Sequence, residues 1–312
     1  MPDRYLSIVI KSQASVYFYF MYRKLFAAFL VFYFFSVTDI FADPSERVYT
    51  DPWQVLNALY LSYPQTISAI DYDYDIKDWY LQSGETRLYW ADGRLLKKED
   101  IPNRFTWRAY VDYVYPKKIP DPATFTPEII ASLNSDLLTE KRRNSQDYNI
   151  AFFDLLYDGA TRRKTESHIT RFDYLGKRVS VHTKIEAPLK RVEGRIYALA
   201  KESPEVQLFV DSIDTIDGYN WREVRDSNSR SHHSWGIAID ILPKGWGKKN
   251  IYWNWLSYWN DFWMLIPLDR RWMPPLSVIH IFESEGFIWG GKWHLWDNMH
   301  FEYRPELLLL QK

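Results

Sequence analysis

The chain has 312 residues, a formal net charge of −1 and no cysteine. Near-neutral charge gives no bulk attraction to nucleic acid or an anionic membrane, and the missing thiols exclude disulfides, cysteine-based zinc fingers and thiol nucleophiles. Hydrophobic residues make up 46% of the chain, enough for a core in one or two domains, and 15 Trp help raise the aromatic share to 18%.

Tyr22-Arg-Lys24 is basic, Leu25–Phe35 is an unbroken apolar run, and Ile40-Phe-Ala42 ends on a small residue before Asp43-Pro44. That order predicts a secretory signal peptide over residues 1–42, with Met21 as a candidate true start and cleavage after Ala42. The run is shorter than the roughly 20 apolar residues of a membrane span. Membrane attachment is therefore expected only if the segment is retained. No cysteine comes after it, which excludes a lipoprotein anchor.

Residues 43–184 read as an α+β N-terminal region of unassigned role, either an accessory domain or an elaboration packed on the C-terminal part of the chain. Helices are expected at Pro52–Leu61 and Pro127–Leu138, the second capped by Thr126 with Glu128 in its first turn. Thr86–Leu96 reads as a hairpin turning at Asp92-Gly93. Pro116–Pro127 reads as a loop. Asp71-Tyr-Asp-Tyr-Asp75 lacks the glycine and terminal glutamate of an EF-hand and reads as a solvated acidic turn.

From Ile185 the pattern sharpens. Leu189, Val192, Ile196 and Leu199 recur at helical spacing to about Lys201. Val206–Ile213 reads as a strand, with a turn after it at Asp217-Gly218. A Trp-rich helical stretch over Asn250–Leu265 is placed to wall a cleft, and a short helix over Val278–Glu285 closes at Gly286. Helices and short strands in mixed order predict an α+β fold, a small mixed or antiparallel sheet with flanking helices.

The chemistry concentrates in two stretches. Ser231–Asp240 reads Ser-His-His-Ser-Trp-Gly-Ile-Ala-Ile-Asp, and Asp297-Asn-Met-His300-Phe-Glu302 stands much later in the chain. Ile237–Leu242 alternates as a strand, so Ala238 and Asp240 share one face and Ile237, Ile239 and Ile241 the other. Gly236 allows the turn that brings His233 to the Asp240 face. Two imidazoles and a carboxylate suit a divalent metal with an open position. Iron oxygenases use the same set, but their first His and acid lie two apart, against seven here. His300 and Glu302 share a strand face, which lets Glu302 hold a ligand imidazole. His168, His182 and His280 carry no supporting context, and His294 reads as a surface imidazole.

Ser231-x-His233-x-x-Gly236-x-Ala238-x-Asp240 with Asp297-x-x-His300-Phe301-Glu302 resembles the M15 peptidases, over roughly the last third of the chain. These are zinc D-alanyl-D-alanine carboxypeptidases and L-alanyl-D-glutamate endopeptidases of peptidoglycan stem peptides. The resemblance implies one Zn2+ held by His233, Asp240 and His300, with His232 a flank. It implies Asp297 as general base and Arg222 as the cation that binds substrate or steadies an oxyanion, with Arg225 and Arg230 as competitors. Ser231 would hydrogen-bond near metal or substrate. The carboxypeptidase branch usually has Glu where Asp297 stands. That difference, with Gly286-Phe-Ile-Trp-Gly-Gly-Lys-Trp293, leans toward the endopeptidases. The expectation is a peptidase domain over residues 185–312, exported to the periplasm or envelope of a bacterium and acting on stem peptides. The alternative is a non-catalytic, metal-containing envelope-binding protein.

Overall fold

The computed structural model describes residues 51–110, 113–133, 144–224 and 229–311. The expected signal peptide lies outside them. Among the described residues no helix is long and apolar enough to cross a membrane.

Helix α1 (Pro52–Ser62) starts where Asp51 caps the Trp53 N–H at 3.0 Å and Pro52 fills the first turn. Next comes a three-stranded antiparallel meander, β1 (Ala69–Asp73), β2 (Asp78–Ser83) and β3 (Thr86–Tyr89). The expected hairpin over Thr86–Leu96 is only half formed. The turn is there, but β3 pairs with β2, and the return contributes a single bridge between Tyr89 and Leu96. Positive φ at Ala91, Asp92, Gly93 and Leu95 winds the chain away before a second strand can pair. Of the expected acidic turn Asp71–Asp75, the first three residues belong to β1, paired with β2, and the chain turns only after Asp73, whose carboxylate accepts from the Asp75 and Ile76 N–H groups.

Helix α2 (Pro127–Ser132) begins at the Thr126 cap as predicted. Residues 134–143, including the expected end of that helix, lie outside the described ones. Then come α3 (Ala151–Tyr157), α4 (Arg162–Glu166) and a hairpin of β4 (Ile169–Tyr174) with β5 (Lys177–His182). Helix α5 (Thr183–Ala200) buries Ile185, Leu189, Val192 and Ile196 along one stripe.

The expected strand at Val206–Ile213 is instead helix α6 (Pro204–Ser212). Ser203 caps the Val206 N–H, Pro204 opens the helix and Glu205 faces its positive end. These start signals outweigh the β-branched residues. Strand β6 (Ile213–Asp217) begins where α6 ends. The Trp-rich stretch is broken into α7 (Trp253–Ser257) and a 3-10 turn at Trp263–Leu265, separated by Asn260 and Asp261. Helix α8 (Leu276–Ser284) ends before Gly286, whose φ is +93°.

The sheet that carries the site combines β6, β7 (Ala238–Pro243), β9 (His300–Tyr303) and β8 (Phe287–Trp289) in that order, all antiparallel. Helix α9 (Pro305–Leu310) comes last. The fold is α+β. Ile237, Ile239 and Ile241 are fully buried, and Phe301 stacks on Phe282 at 3.9 Å between centroids. One face of the sheet is thus committed to the core.

The predicted division at residue 184 does not separate two bodies. The described residues form one compact unit, and a continuous apolar core takes side chains from Val55 through Leu310. The physical reason is that α5 starts at Thr183 directly from β5, with His182 as its cap, so no linker exists there.

Candidate metal centre

The site forms where β7, β9 and a short 3-10 turn (His232–Trp235) meet. The β7–β9 register sets Asp240 opposite His300 and Ala238 opposite Glu302. Cross-strand neighbours share a face, and buried Ala238 puts only a methyl group on that face beside Asp240. Ser231 is buried and caps the turn, accepting from the His233 N–H at 3.4 Å. Its place is beneath the His233 backbone. Gly236 closes the turn at φ +69°, where a Cβ would meet Ile169 Cδ1 at 2.7 Å and the His182 backbone N at 2.8 Å. Only glycine accepts that conformation at that distance without strain.

His233, Asp240 and His300 each point one donor atom inward, all within 4.8 Å of one another. His300 Nδ1 is 2.8 Å from Asp240 Oδ1, and His233 Nε2 is 3.2 Å from Asp240 Oδ2. The outer nitrogens are engaged. His233 Nδ1 faces the Gly218 carbonyl at 2.6 Å, and His300 Nε2 faces Glu302 Oε2 at 3.1 Å. A carbonyl can only accept, so His233 donates from Nδ1, and in the neutral ring this leaves the Nε2 lone pair facing inward. Asp297 Oδ1 is shut from solvent with no hydrogen-bond partner, and buried His233 Nε2 has the Asp240 carboxylate at 3.2 Å as its neighbour. Buried polar atoms rarely stay orphaned. An unpartnered carboxylate oxygen and an imidazole nitrogen turned toward a carboxylate are what a cation with its bound solvent would satisfy. The donor set fits a divalent metal.

The charges agree. Burial alone would raise the Asp240 carboxyl, but the His233 and His300 imidazoles outweigh it and hold the group below the usual range. Burial would lower His300, yet hydrogen bonds to Asp240 and Glu302 hold it well above the ordinary imidazole value. Asp297 is pushed up to about 8, chiefly by burial and then by the Asp240 charge, against His300, the Met299 N–H and Arg222. A carboxyl titrating near neutrality beside a ligand group is suited to giving and taking a proton.

Arg222 stands at a cleft, and Ser234 fixes its backbone in both directions. The Arg222 N–H donates to Ser234 Oγ at 2.8 Å, and that hydroxyl donates back to the Arg222 carbonyl at 2.6 Å. Arg230 is engaged elsewhere, bonded to Asp154 Oδ1 at 2.8 Å and the Gly159 carbonyl at 2.7 Å between the Trp221 and Trp235 rings. Arg225 lies outside the described residues. His294 packs on Phe125 and belongs to no ligand group among the described residues.

Three participants escape sequence reasoning. His232 is more than a flank, since its Nδ1 lies 3.0 Å from Glu302 Oε2. Asp217 stands opposite Asp240 across β6–β7, with its carboxyl raised by burial and by that neighbour. Arg304 donates to Glu302 Oε1 at 3.3 Å. The alternation of His300, Glu302 and Arg304 is the available signal for the last.

A cleft of about 600 Å³ opens beside the centre, lined by Trp107, Tyr148, Phe153, Trp221, Arg222 and His232 among others. The three donors do not line it; His232 and Ser234, the sequence neighbours of His233, do. Its walls come from both halves of the chain.

Residues 225–303 match the family model of D-alanyl-D-alanine carboxypeptidases. The match spans His233, Asp240, Asp297, His300 and Glu302, and at family level it supports a peptidase of the peptidoglycan carboxypeptidase type. Residues 55–112 match a second model, described as a domain of unknown function. No curated protein and no solved structure matches the chain.

Proposed function

We propose that the chain is a zinc-dependent peptidase that hydrolyses peptidoglycan stem peptides. The observation that carries this reading is the convergence of His233, Asp240 and His300 with the Asp297 carboxyl beside them. His233, Asp240 and His300 would hold a zinc ion, which would supply an acidified water and a Lewis acid for a peptide carbonyl. Asp297 takes the proton of the attacking water and returns it to the leaving amine. A nearby cation would lower the Asp297 titration, which favours its base form at neutral pH. Arg222, at the cleft wall, offers its charge to the developing oxyanion or to a substrate carboxylate. Ser231 and Ser234 hold the backbone of His233 and Arg222, and Glu302 keeps the His300 proton on Nε2.

Trp107, Trp221 and Tyr148 give the cleft flat apolar walls suited to an extended peptide. Asp at position 297 and the Trp289-Gly-Gly291 segment support cleavage of the L-alanyl-D-glutamate bond. Export through the segment ending at Ala42 would bring the enzyme to its substrate, and the intact mass of envelope-fraction protein tests that step. Digestion of purified sacculi with mass spectrometry of the products tests the function. Release of free D-alanine identifies a carboxypeptidase, and loss of the whole stem after L-alanine an endopeptidase. Unchanged sacculi with zinc bound would overturn the peptidase reading.

A further inference from the structure

The second matched segment, residues 55–112, has no assigned role. Two of its tyrosines lead into the metal centre through a closed chain of hydrogen bonds. Tyr63 at the end of α1 donates to Glu306 Oε2 at 2.6 Å, and Tyr110 donates to Glu306 Oε1 at 2.6 Å. Arg304 donates through Nε to the same Glu306 Oε1 at 2.6 Å and through a terminal nitrogen to the Tyr110 oxygen at 2.8 Å. Its other terminal nitrogen reaches Glu302 Oε1. Glu302 Oε2 then meets both His300 Nε2 and His232 Nδ1.

Glu306 is fully buried and Arg304 is 5% exposed, so water cannot replace a missing partner. A carboxylate placed there without its donors is costly, and it would draw Arg304 toward itself. Arg304 is shared between two carboxylates, Glu306 and Glu302. Whatever Glu306 loses from the tyrosines, it recovers by taking more of Arg304 from Glu302. Glu302 in turn fixes the rotation of the His300 ring and which of its nitrogens carries the proton. Ligand orientation of this kind commonly changes metal affinity by about 10–100-fold. Satisfying Glu306 needs only nearby hydroxyls. Here they come from residues 243 and 196 positions away, which ties the N-terminal segment to the centre.

We propose that Tyr110 and Tyr63 are positioning residues for the metal centre, acting through Glu306, Arg304 and Glu302 on His300. The segment of unassigned role then completes the centre from behind, in addition to walling the cleft. This inference rests on the metal reading of the site but not on the substrate.

The test uses the full chain and zinc alone, in competition with a chromophoric chelator well below the melting temperature. Tyr110→Phe keeps the ring and removes the hydroxyl, and zinc affinity is expected to fall about 10–100-fold. Tyr63→Phe leaves Tyr110 and Arg304 on the other Glu306 oxygen and should lose less; it carries the test if Tyr110→Phe does not fold. The cobalt-substituted protein should show a shifted visible spectrum in the same variants. In a Glu302→Gln background, adding Tyr110→Phe should cost little further affinity, because the route passes through Glu302. A purely structural role would lower the melting temperature while leaving zinc affinity and the cobalt spectrum at parent values, which overturns the proposal. An equal loss in both backgrounds also overturns it. A parent that binds no zinc would sink the metal reading itself, and this inference with it.

Discussion

Asp240 and His300 face each other across the β7–β9 pair, with Nδ1 of the imidazole 2.8 Å from Oδ1 of the carboxylate. The contact comes from strand register and needs no loop to be placed. His233 arrives from outside the sheet and depends on a turn to reach the same point. The centre thus has two donors on rigid β-structure and one on a glycine-closed turn.

His233→Ala should therefore abolish tight zinc binding while leaving the β7–β9 pairing intact. Three protein ligands are the working minimum for such a site. Elemental analysis of purified protein measures the loss, and circular dichroism checks the fold. Full zinc occupancy in the variant would remove His233 from the ligand set.

Asp297→Asn separates holding the metal from using it. The amide has nearly the shape of the carboxylate, and Asp297 is outside the group of converging donors. Zinc content should survive. Turnover of stem peptides should fall by about 10²–10⁴-fold, the usual contribution of a positioned acid–base group. Single-turnover assays on purified muropeptides measure it. Parent-like turnover would point to another base, with Glu302 next in line.

Much of this centre is legible in the sequence because it is local. Asp240 flanked by Ile239 and Ile241 announces a strand with one polar face, and the spacing to His233 reflects the turn at Gly236. His300 and Glu302 are likewise two apart on one strand. The illegible part is nonlocal or rotational. His232 and His233 are adjacent on a 3-10 turn, and no spacing rule tells which way each imidazole points. Tyr63 and Tyr110 reach Glu306 from the far end of the chain, and nothing near Glu306 in sequence announces them. Helix α6 departs from the sequence expectation for a different reason. Val206 to Val210 has strand-like composition, and the Ser203-Pro204-Glu205 start signal is the better guide.

His182 should make the protein acid-sensitive in a defined window. Its Nδ1 accepts from the Lys184 N–H at 3.1 Å, capping α5, and its Nε2 lies 3.1 Å from the Tyr157 carbonyl. Both contacts suit the neutral ring. Burial lowers its pKa from 6.5 to about 4, helped by Lys184 and His168 and opposed by the Tyr157 carbonyl and Asp158. A depressed folded pKa means the unfolded chain binds the proton more readily. The contribution is fully present above about 6.5 and is lost as pH falls through about 4, on the order of 3 kcal/mol. Urea midpoints at pH 7, 5.5 and 4, with chelator present throughout, should show the parent's advantage over His182→Asn shrinking with acid. Asparagine retains an oxygen for the cap. A constant gap would mean that His182 does not titrate in this window.

Gly236 and Gly245 offer a matched test of why glycine stands before β7. Both have φ of +69°. A Cβ at Gly245 would meet nothing within 4 Å, so Gly245→Ala should cost only the left-handed backbone penalty, about 1 kcal/mol. At Gly236 the same Cβ would meet Ile169 Cδ1 at 2.7 Å and the His182 backbone N at 2.8 Å. Ile169 can rotate its end away. The His182 nitrogen cannot move cheaply, because it donates to the Gly236 carbonyl at 2.8 Å and begins the cap of α5. Gly236→Ala should therefore cost roughly 3 kcal/mol, the backbone penalty plus that of forcing apart a packed contact. The displacement would also pass to His233, three residues earlier on the same turn, so zinc affinity should fall with stability. Gly245→Ala should leave zinc affinity unchanged. Urea midpoints and chelator competition on the two variants measure both effects. Equal destabilisation would show that the close approach to His182 contributes nothing. A full loss of stability in Gly236→Ala with parent zinc affinity would show that the turn does not carry His233.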